Sequence, residues 1–282
     1  MSTVGIHDAT PCQLGEGPLW HPERGQLFWF DILNRRMHTA GRHWDFPDYV
    51  SAAGWVDRST LLVASSRALS RFDIETGETT KVCDLEHDNV VTRSNDGRAD
   101  PQGGFWIGTM GIEAEDGAGS IWRWWRGELR RLHGNITISN GICFAPDGRT
   151  AYFCDTALSE IMAQPLDPET GWPTGEARVH IDLREGSYHP DGAVCDADGN
   201  YVSAQWGDYR IAVFDPSGQH LEDIALPARQ ITCPAFGGAD LGTLYATSAA
   251  VGLSAEEAGA HEGQTFVLST RYRGQREHRV IL

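Results

Sequence analysis

Short apolar runs recur along the chain, each cut by glycine-centred punctuation. Phe105-Trp106-Ile107 follows Gly103-Gly104. Ile142-Cys143-Phe144 leads into Pro146-Asp147-Gly148, and Tyr201-Val202 follows Asp198-Gly199. Runs this brief, rich in aromatic and β-branched residues and bounded by turn formers, predict strands rather than helices. Segments beginning near Leu14, Ser51, Arg93, Ser139, His189 and Thr232 repeat one scheme. Each has a polar-Gly turn, an apolar strand, an Asp/Pro-x-Gly hairpin, a second apolar strand, and a third strand that ends in charge. Six repeats of roughly 40 to 50 residues match the period of propeller blades. The expectation is an all-β, six-bladed β-propeller, residues 1–282 forming one domain.

The hairpins have local reasons. Pro146-Asp147-Gly148 supplies a preset φ and a residue at ease with positive φ. Asp198-Gly199 predicts a type I′ turn. Ring closure is expected from a last strand around Arg279 to Leu282 pairing with the N-terminal region, which would remove exposed sheet edges. The second repeat begins Ala52-Ala53-Gly54 and is expected to lend shape rather than a ligand.

Charge and cysteine content narrow the function. The net charge is -16, with 39 acids against 23 Lys and Arg, which excludes nucleic acid and anionic membrane as partners. The Arg123 to Arg131 stretch reads as solvated strand edge. The N-terminal residues lack a basic segment followed by an apolar one, and no apolar run reaches membrane-spanning length, so the protein is expected in the cytoplasm. The six cysteines form no Cys-x-x-Cys pair and are read as reduced, with Cys143 and Cys195 acting as small buried hydrophobes.

Three oxygen-bearing residues stand at equivalent points of separate repeats, in Leu-Gly-Glu16-Gly-Pro, Ser-Asn140-Gly-Ile and His-Pro-Asp191-Gly-Ala. If the repeats close into a ring, these residues face one axis. Two carboxylates and a carboxamide converging there require a hard divalent cation. Each residue alone also suits a turn. Their shared placement, with Asn95 of Arg93-Ser-Asn95-Asp-Gly as a fourth, favours one site on the axis.

Together, Leu14-Gly-Glu16-Gly-Pro, Arg93-Ser-Asn95-Asp-Gly, Gly108-Thr-Met110, Ser139-Asn140-Gly, Pro190-Asp191-Gly and Phe236-Gly-Gly resemble, in order and essentially end to end, the senescence-marker-protein, gluconolactonase and regucalcin family. The resemblance implies a six-bladed propeller with one divalent metal on its axis and hydrolysis of sugar lactones. It implies Glu16, Asn140 and Asp191 as metal ligands, Arg93 and Asn95 as substrate contacts, and Glu113, in a variable lid over 111–119, as a further contact. His189 departs from the aromatic residue expected before Pro-Asp-Gly, and Gly263-Gln-Thr-Phe266 replaces a more apolar run. Neither touches the ligand set.

Ester hydrolysis at such a site needs a polarised carbonyl and a base, and Asp191 is expected to be that base. Calcium, magnesium, manganese and ferrous iron suit oxygen ligation, and zinc remains open. Gly-x-Ser-x-Gly, His-Glu-x-x-His and Gly-x-x-x-x-Gly-Lys-Ser/Thr are absent from the sequence, which removes support from serine hydrolase, zincin and nucleotide chemistry. The eleven His residues show no ligand spacing, and His21 and His180 are read as surface or hydrogen-bonded core groups. Trp122 and Trp124 are expected to pack between blades, while Trp206 and Tyr209 are pocket-wall candidates. The rival reading is a non-catalytic propeller that binds calcium or a protein.

Overall fold

The computed structural model describes residues 4–186, 188–254 and 256–282. The first strand, β1 (Val4–Asp8), is followed by blade I, made of β2 (Gly15–His21), β3 (Gln26–Asp31), β4 (Arg36–Thr39) and β5 (Arg42–Asp45). Blade II holds β6 (Val50–Asp57), β7 (Thr60–Ser65), β8 (Ala68–Asp73) and β9 (Thr79–Asp84). Blade III holds β10 (Thr92–Ala99), β11 (Phe105–Gly111), β12 (Gly119–Trp125) and β13 (Glu128–Ile136). Blade IV holds β14 (Ser139–Phe144), β15 (Thr150–Asp155), β16 (Glu160–Pro165) and β17 (Arg178–Asp182). Blade V holds β18 (Pro190–Cys195), β19 (Tyr201–Gln205), β20 (Arg210–Phe214) and β21 (His220–Ala225). β22 (Gln230–Gly237), β23 (Thr243–Ala249) and β24 (Thr265–Ser269) complete the ring with β1 as the outermost strand of blade VI. The chain is a six-bladed β-propeller whose described strands form four-stranded antiparallel sheets.

Four strands per blade replace the three expected. The outermost strands escape a reading based on apolar runs because they are largely exposed, as in Arg42–Asp45 and Thr79–Asp84. The ring also closes differently from the expectation. β1 pairs with β24, Val4 opposite Leu268 and Gly5 opposite Val267. Residues 279–282 form no strand and instead run beneath the ring, with Val280 N–H donating to Trp55 O and Ile281 N–H to Gly103 O at 2.9 Å each.

Apolar runs arise because a middle strand is covered on both faces. In β3, Phe28 and Phe30 pack towards blade II while Leu27 and Trp29 pack towards blade VI. In β7, Leu61 and Val63 face blade I, and Leu62 and Ala64 face blade III. Side chains alternate across a strand, so two buried faces demand apolar residues at every position. The hydrophobic clusters accordingly lie between neighbouring blades.

Trp124 and the half-buried Trp122 join the cluster between blades II and III, as expected. The six cysteines are free, and Cys143 and Cys195 are buried with their Sγ atoms 3.4 Å apart. His21 is fully buried, its Nε2 3.0 Å from Asp57 O. The Arg123–Arg131 reading needs correction. Arg131 and Arg130 are exposed, but Arg123 is completely buried and its Nε donates to Asp100 Oδ2 at 2.6 Å. The Asp198-Gly199 loop also differs from a type I′ turn. Gly199 N–H returns to Asp196 O, and Gly199 is the residue of that loop with positive φ (+85°), so the chain makes a turn followed by a left-handed glycine. Among the described residues, no helix is long and apolar enough to cross a membrane.

Candidate metal and substrate site

The innermost strand of each blade carries a register shift, an extra residue against its neighbour. β2 slips between Glu16 and Leu19, β10 between Ser94 and Gly97, β14 between Asn140 and Cys143, and β18 between Pro190 and Ala193. A bulge breaks strict alternation and re-aims a side chain. The Gly-flanked sequences around Glu16, Asn140 and Asp191 suggest turns; the three residues lie within strands, at these bulges. The glycines beside two of them are required by the backbone. Gly17 has φ +52° and a Cβ there would lie 2.1 Å from Ser51 O; Gly141 has φ +66° and a Cβ would meet Tyr201 Oη at 2.3 Å.

The bulges deliver Glu16, Arg93, Asn95, Asn140 and Asp191 to the wall of one cavity of about 270 Å³. All five are at least nine-tenths buried. Asn95 ties the group together: its Nδ2 donates to Asn140 Oδ1 and to Ser139 O, both at 2.9 Å, and its Oδ1 accepts from Arg93 Nη1 at 2.7 Å. Asn140 Nδ2 in turn donates to Thr156 Oγ1 at 2.9 Å, and that hydroxyl donates to Pro190 O at 2.7 Å. This fixes the amide with its oxygen on the Asn95 side. Thr156 opens a short 3₁₀ turn (Thr156–Leu158) capped by Asp155, whose carboxylate also accepts from Thr137 and Ile138 N–H.

Blades II and VI supply none of the five, for visible reasons. At the corresponding points Ser51 Oγ donates to Ser94 Oγ at 2.8 Å, and Thr232 Oγ1 donates to Gly15 O. Both hydroxyls brace neighbouring inner strands. Among the described residues, none of blade II lines the cavity.

The electrostatics describe a site short of positive charge. Burial pushes Glu16 up to about 8, with Asp96 adding to the rise, while Gly17 N–H and Arg93 oppose it. Burial likewise holds Asp191 well above the ordinary carboxylate range, reinforced by the Glu16 and Asp96 charges. Asp96, which accepts from Ile142 N–H at 2.6 Å, is itself raised to about 6 by burial. Arg93, the cation beside Glu16 and Asp191, is drawn down to about 10 by burial, while Arg98 is the cation that acts on Asp96. Two buried acids, Glu16 and Asp191, facing one guanidinium, with an all-oxygen donor set at the cavity, fit a hard divalent cation.

Several residues fall outside the sequence expectation. Glu113 is exposed; its N–H donates to Glu115 Oε2 at 3.1 Å, and it does not line the cavity, whereas its neighbour Ile112 does. His189 is 57% exposed in its side chain and lies 3.6 Å from Asp208, lining a neighbouring pocket of about 370 Å³. Trp206 lines both pockets; Tyr209 is exposed and lines neither. Asp96 and Thr156 were not singled out. Asp96 sat in the quoted Asn95-Asp96-Gly97, and Thr156 immediately follows the second strand of the Asn140 blade.

Residues 14–250 match the SMP-30/Gluconolactonase/LRE-like region. The chain is 32% identical to L-arabinolactonase of Azospirillum brasilense, across 93% of this chain and 90% of that protein. It is 34% identical to 6-deoxy-6-sulfogluconolactonase of Pseudomonas putida, across 88% and 87%. A crystal structure of a calcium-binding protein, regucalcin, from Agrobacterium tumefaciens superposes with a TM-score of 0.95 at 41% identity, covering 98% of this chain and 97% of that one. By the extent of the family match and the ordered inner-strand landmarks, the chain belongs to the SMP-30/gluconolactonase/LRE-like family.

Proposed function

We propose that the protein is a metal-dependent lactonase that opens a sugar lactone to its aldonic acid. The observation that carries the reading is the gathering of Glu16, Asn140 and Asp191, from three separate blades, on the wall of one cavity that also presents Arg93. Relatives named L-arabinolactonase and 6-deoxy-6-sulfogluconolactonase support the reaction class.

Glu16 and Asp191, with the Asn140 amide oxygen, would hold the cation. When bound, a divalent ion supplies Lewis-acid polarisation of the lactone carbonyl and stabilises the negative charge of the tetrahedral intermediate. Asp191 is the base: one carboxylate oxygen takes a proton from water as that water's oxygen adds to the carbonyl carbon. Collapse breaks the ring carbon–oxygen bond, and the proton on Asp191 passes to the departing ring oxygen. Arg93 Nη1 is held by Ser94 O and Asn95 Oδ1, which leaves the other guanidinium N–H groups for the substrate and for the product carboxylate. Asn95 acts through its neighbours, orienting Asn140 and Arg93.

The test is acid release in a pH-stat from glucono-, xylono-, arabino- and galactonolactone, before and after metal stripping. Hydrolysis lost to chelator and restored by a divalent cation is expected. Metal binding with no acid release from any lactone would return the protein to the non-catalytic reading.

A further inference from the structure

The upper wall of the cavity is apolar. Leu14 and Ile138 stand two residues before Glu16 and Asn140. Leu33, Ile112, Trp206 and Val251 follow the second strands of blades I, III, V and VI. All six are half-buried, so part of each faces the opening. At the equivalent point of blade IV stands Thr156, and its hydroxyl is committed to Asn140 and Pro190.

The polar groups at the cavity are equally committed. Asn95 uses its amide N–H groups on Ser139 and Asn140 and its oxygen on Arg93. Glu16, Asn140 and Asp191 are assigned to the cation. For substituents beyond the lactone carbonyl, that leaves the spare Arg93 donors and an aliphatic and indole wall. Further polar side chains lie on the far side of Trp206, in the pocket lined by His189, Asp208 and Gln230, and they too are engaged: Gln230 Nε2 donates to Ala249 O and Val251 O, and Asp208 pairs with His189 and Arg210.

A hydroxyl moved from water against such a wall loses hydrogen bonds that nothing replaces, whereas a methyl or methylene gains burial. Resting on the lactonase reading above, we infer that the preferred substrate is a deoxy or short-alkyl-substituted lactone, with hydrogen or methyl where a common aldonolactone carries hydroxyls.

The experiment compares matched pairs on the metal-loaded enzyme: 2-deoxy-D-ribono-1,4-lactone against D-ribono-1,4-lactone, and 6-deoxy-D-gluconolactone against D-gluconolactone. Each kcat/KM is divided by that lactone's spontaneous hydrolysis rate, because removing a hydroxyl also changes carbonyl reactivity. The expected result favours the deoxy member by about tenfold per hydroxyl removed, the ratio of one unmatched hydrogen bond. Val251→Asn and Ile138→Asn, which place an amide on the wall, should shrink the preference. Equal or faster hydrolysis of the fully hydroxylated members overturns the inference and leaves the lactonase reading standing. No hydrolysis of any pair sinks both.

Discussion

The two ends of the propeller channel handle buried charge in opposite ways. At the lower end Arg98, near the close of β10, pairs with Glu277 of the C-terminal tail; both side chains are at least nine-tenths buried. The tail is stitched across four blades. Trp55 Nε1 donates to Glu277 O at 2.9 Å, Gln275 Nε2 donates to Phe144 O and Cys195 O, and Ile281 N–H reaches Gly103 O. A guanidinium and a carboxylate face each other there, and no ligand is called for. At the upper end Glu16 and Asp191 share Arg93, and burial together with the neighbouring carboxylates raises their proton affinities. Balanced buried charge holds the ring together, and unbalanced buried charge marks where something binds.

The sharpest way to break this contrast is Asp191→Ala. Turnover should fall by about a hundredfold or more, the usual loss on removing a general base, with the folded state retained. A variant keeping more than about a tenth of wild-type rate would take Asp191 out of the mechanism. At the opposite end Glu277→Ala strands the Arg98 guanidinium, and unfolding free energy in denaturant titration should drop by about 3–5 kcal/mol. A loss below about 1 kcal/mol would mean the pair is no more than an exposed one in effect.

Thr156→Val removes the hydroxyl that holds Asn140. Metal affinity of the stripped protein, measured calorimetrically, should weaken by about 10- to 100-fold, the scale for residues that orient a ligand. Unchanged affinity would contradict the placement of Asn140 in the ligand set.

The pH dependence follows from the raised carboxyls. With no cation bound, Glu16 is held up to about 8 from an ordinary 4.5. Its neutral form is therefore favoured by folding: that contribution to stability is full below the unfolded value and is lost as pH rises through 8. A bound divalent cation reverses the preference, so the gap in melting temperature between calcium-loaded and stripped protein should widen from pH 5 to pH 8. A constant or narrowing gap would refute the linkage. The smallest effect is expected from Glu113→Ala. Glu113 lies exposed outside the cavity, so KM should stay within about twofold, as for surface substitutions generally. A larger rise would place the 111–119 segment over the substrate.

What could be read from residues alone divides along the same physical lines. Strands covered on both faces announce themselves, as Phe105-Trp106-Ile107 does. An outer strand such as Thr79–Asp84 has exposed sides and no run to show. Glu16, Asn140 and Asp191 were legible because a repeat places equivalent residues at equivalent points. Their bulges were not, since the same Gly-flanked sequences also suit turns. Ring closure through the N-terminal region was expected, but its partner was placed at Arg279 to Leu282 rather than at Thr265–Ser269. Glu277 was missed because its partner Arg98 lies 179 residues away, and no local pattern encodes that pairing. The apolar mouth is legible only in hindsight, once the residue after each blade's second strand is known to face the opening.

The most direct test of the central claim is anomalous diffraction from crystals soaked in manganese. One ion is predicted, bonded to Glu16, Asn140 and Asp191 at roughly 2.0 to 2.6 Å. An ion bound elsewhere, with these three side chains free of it, would contradict the account.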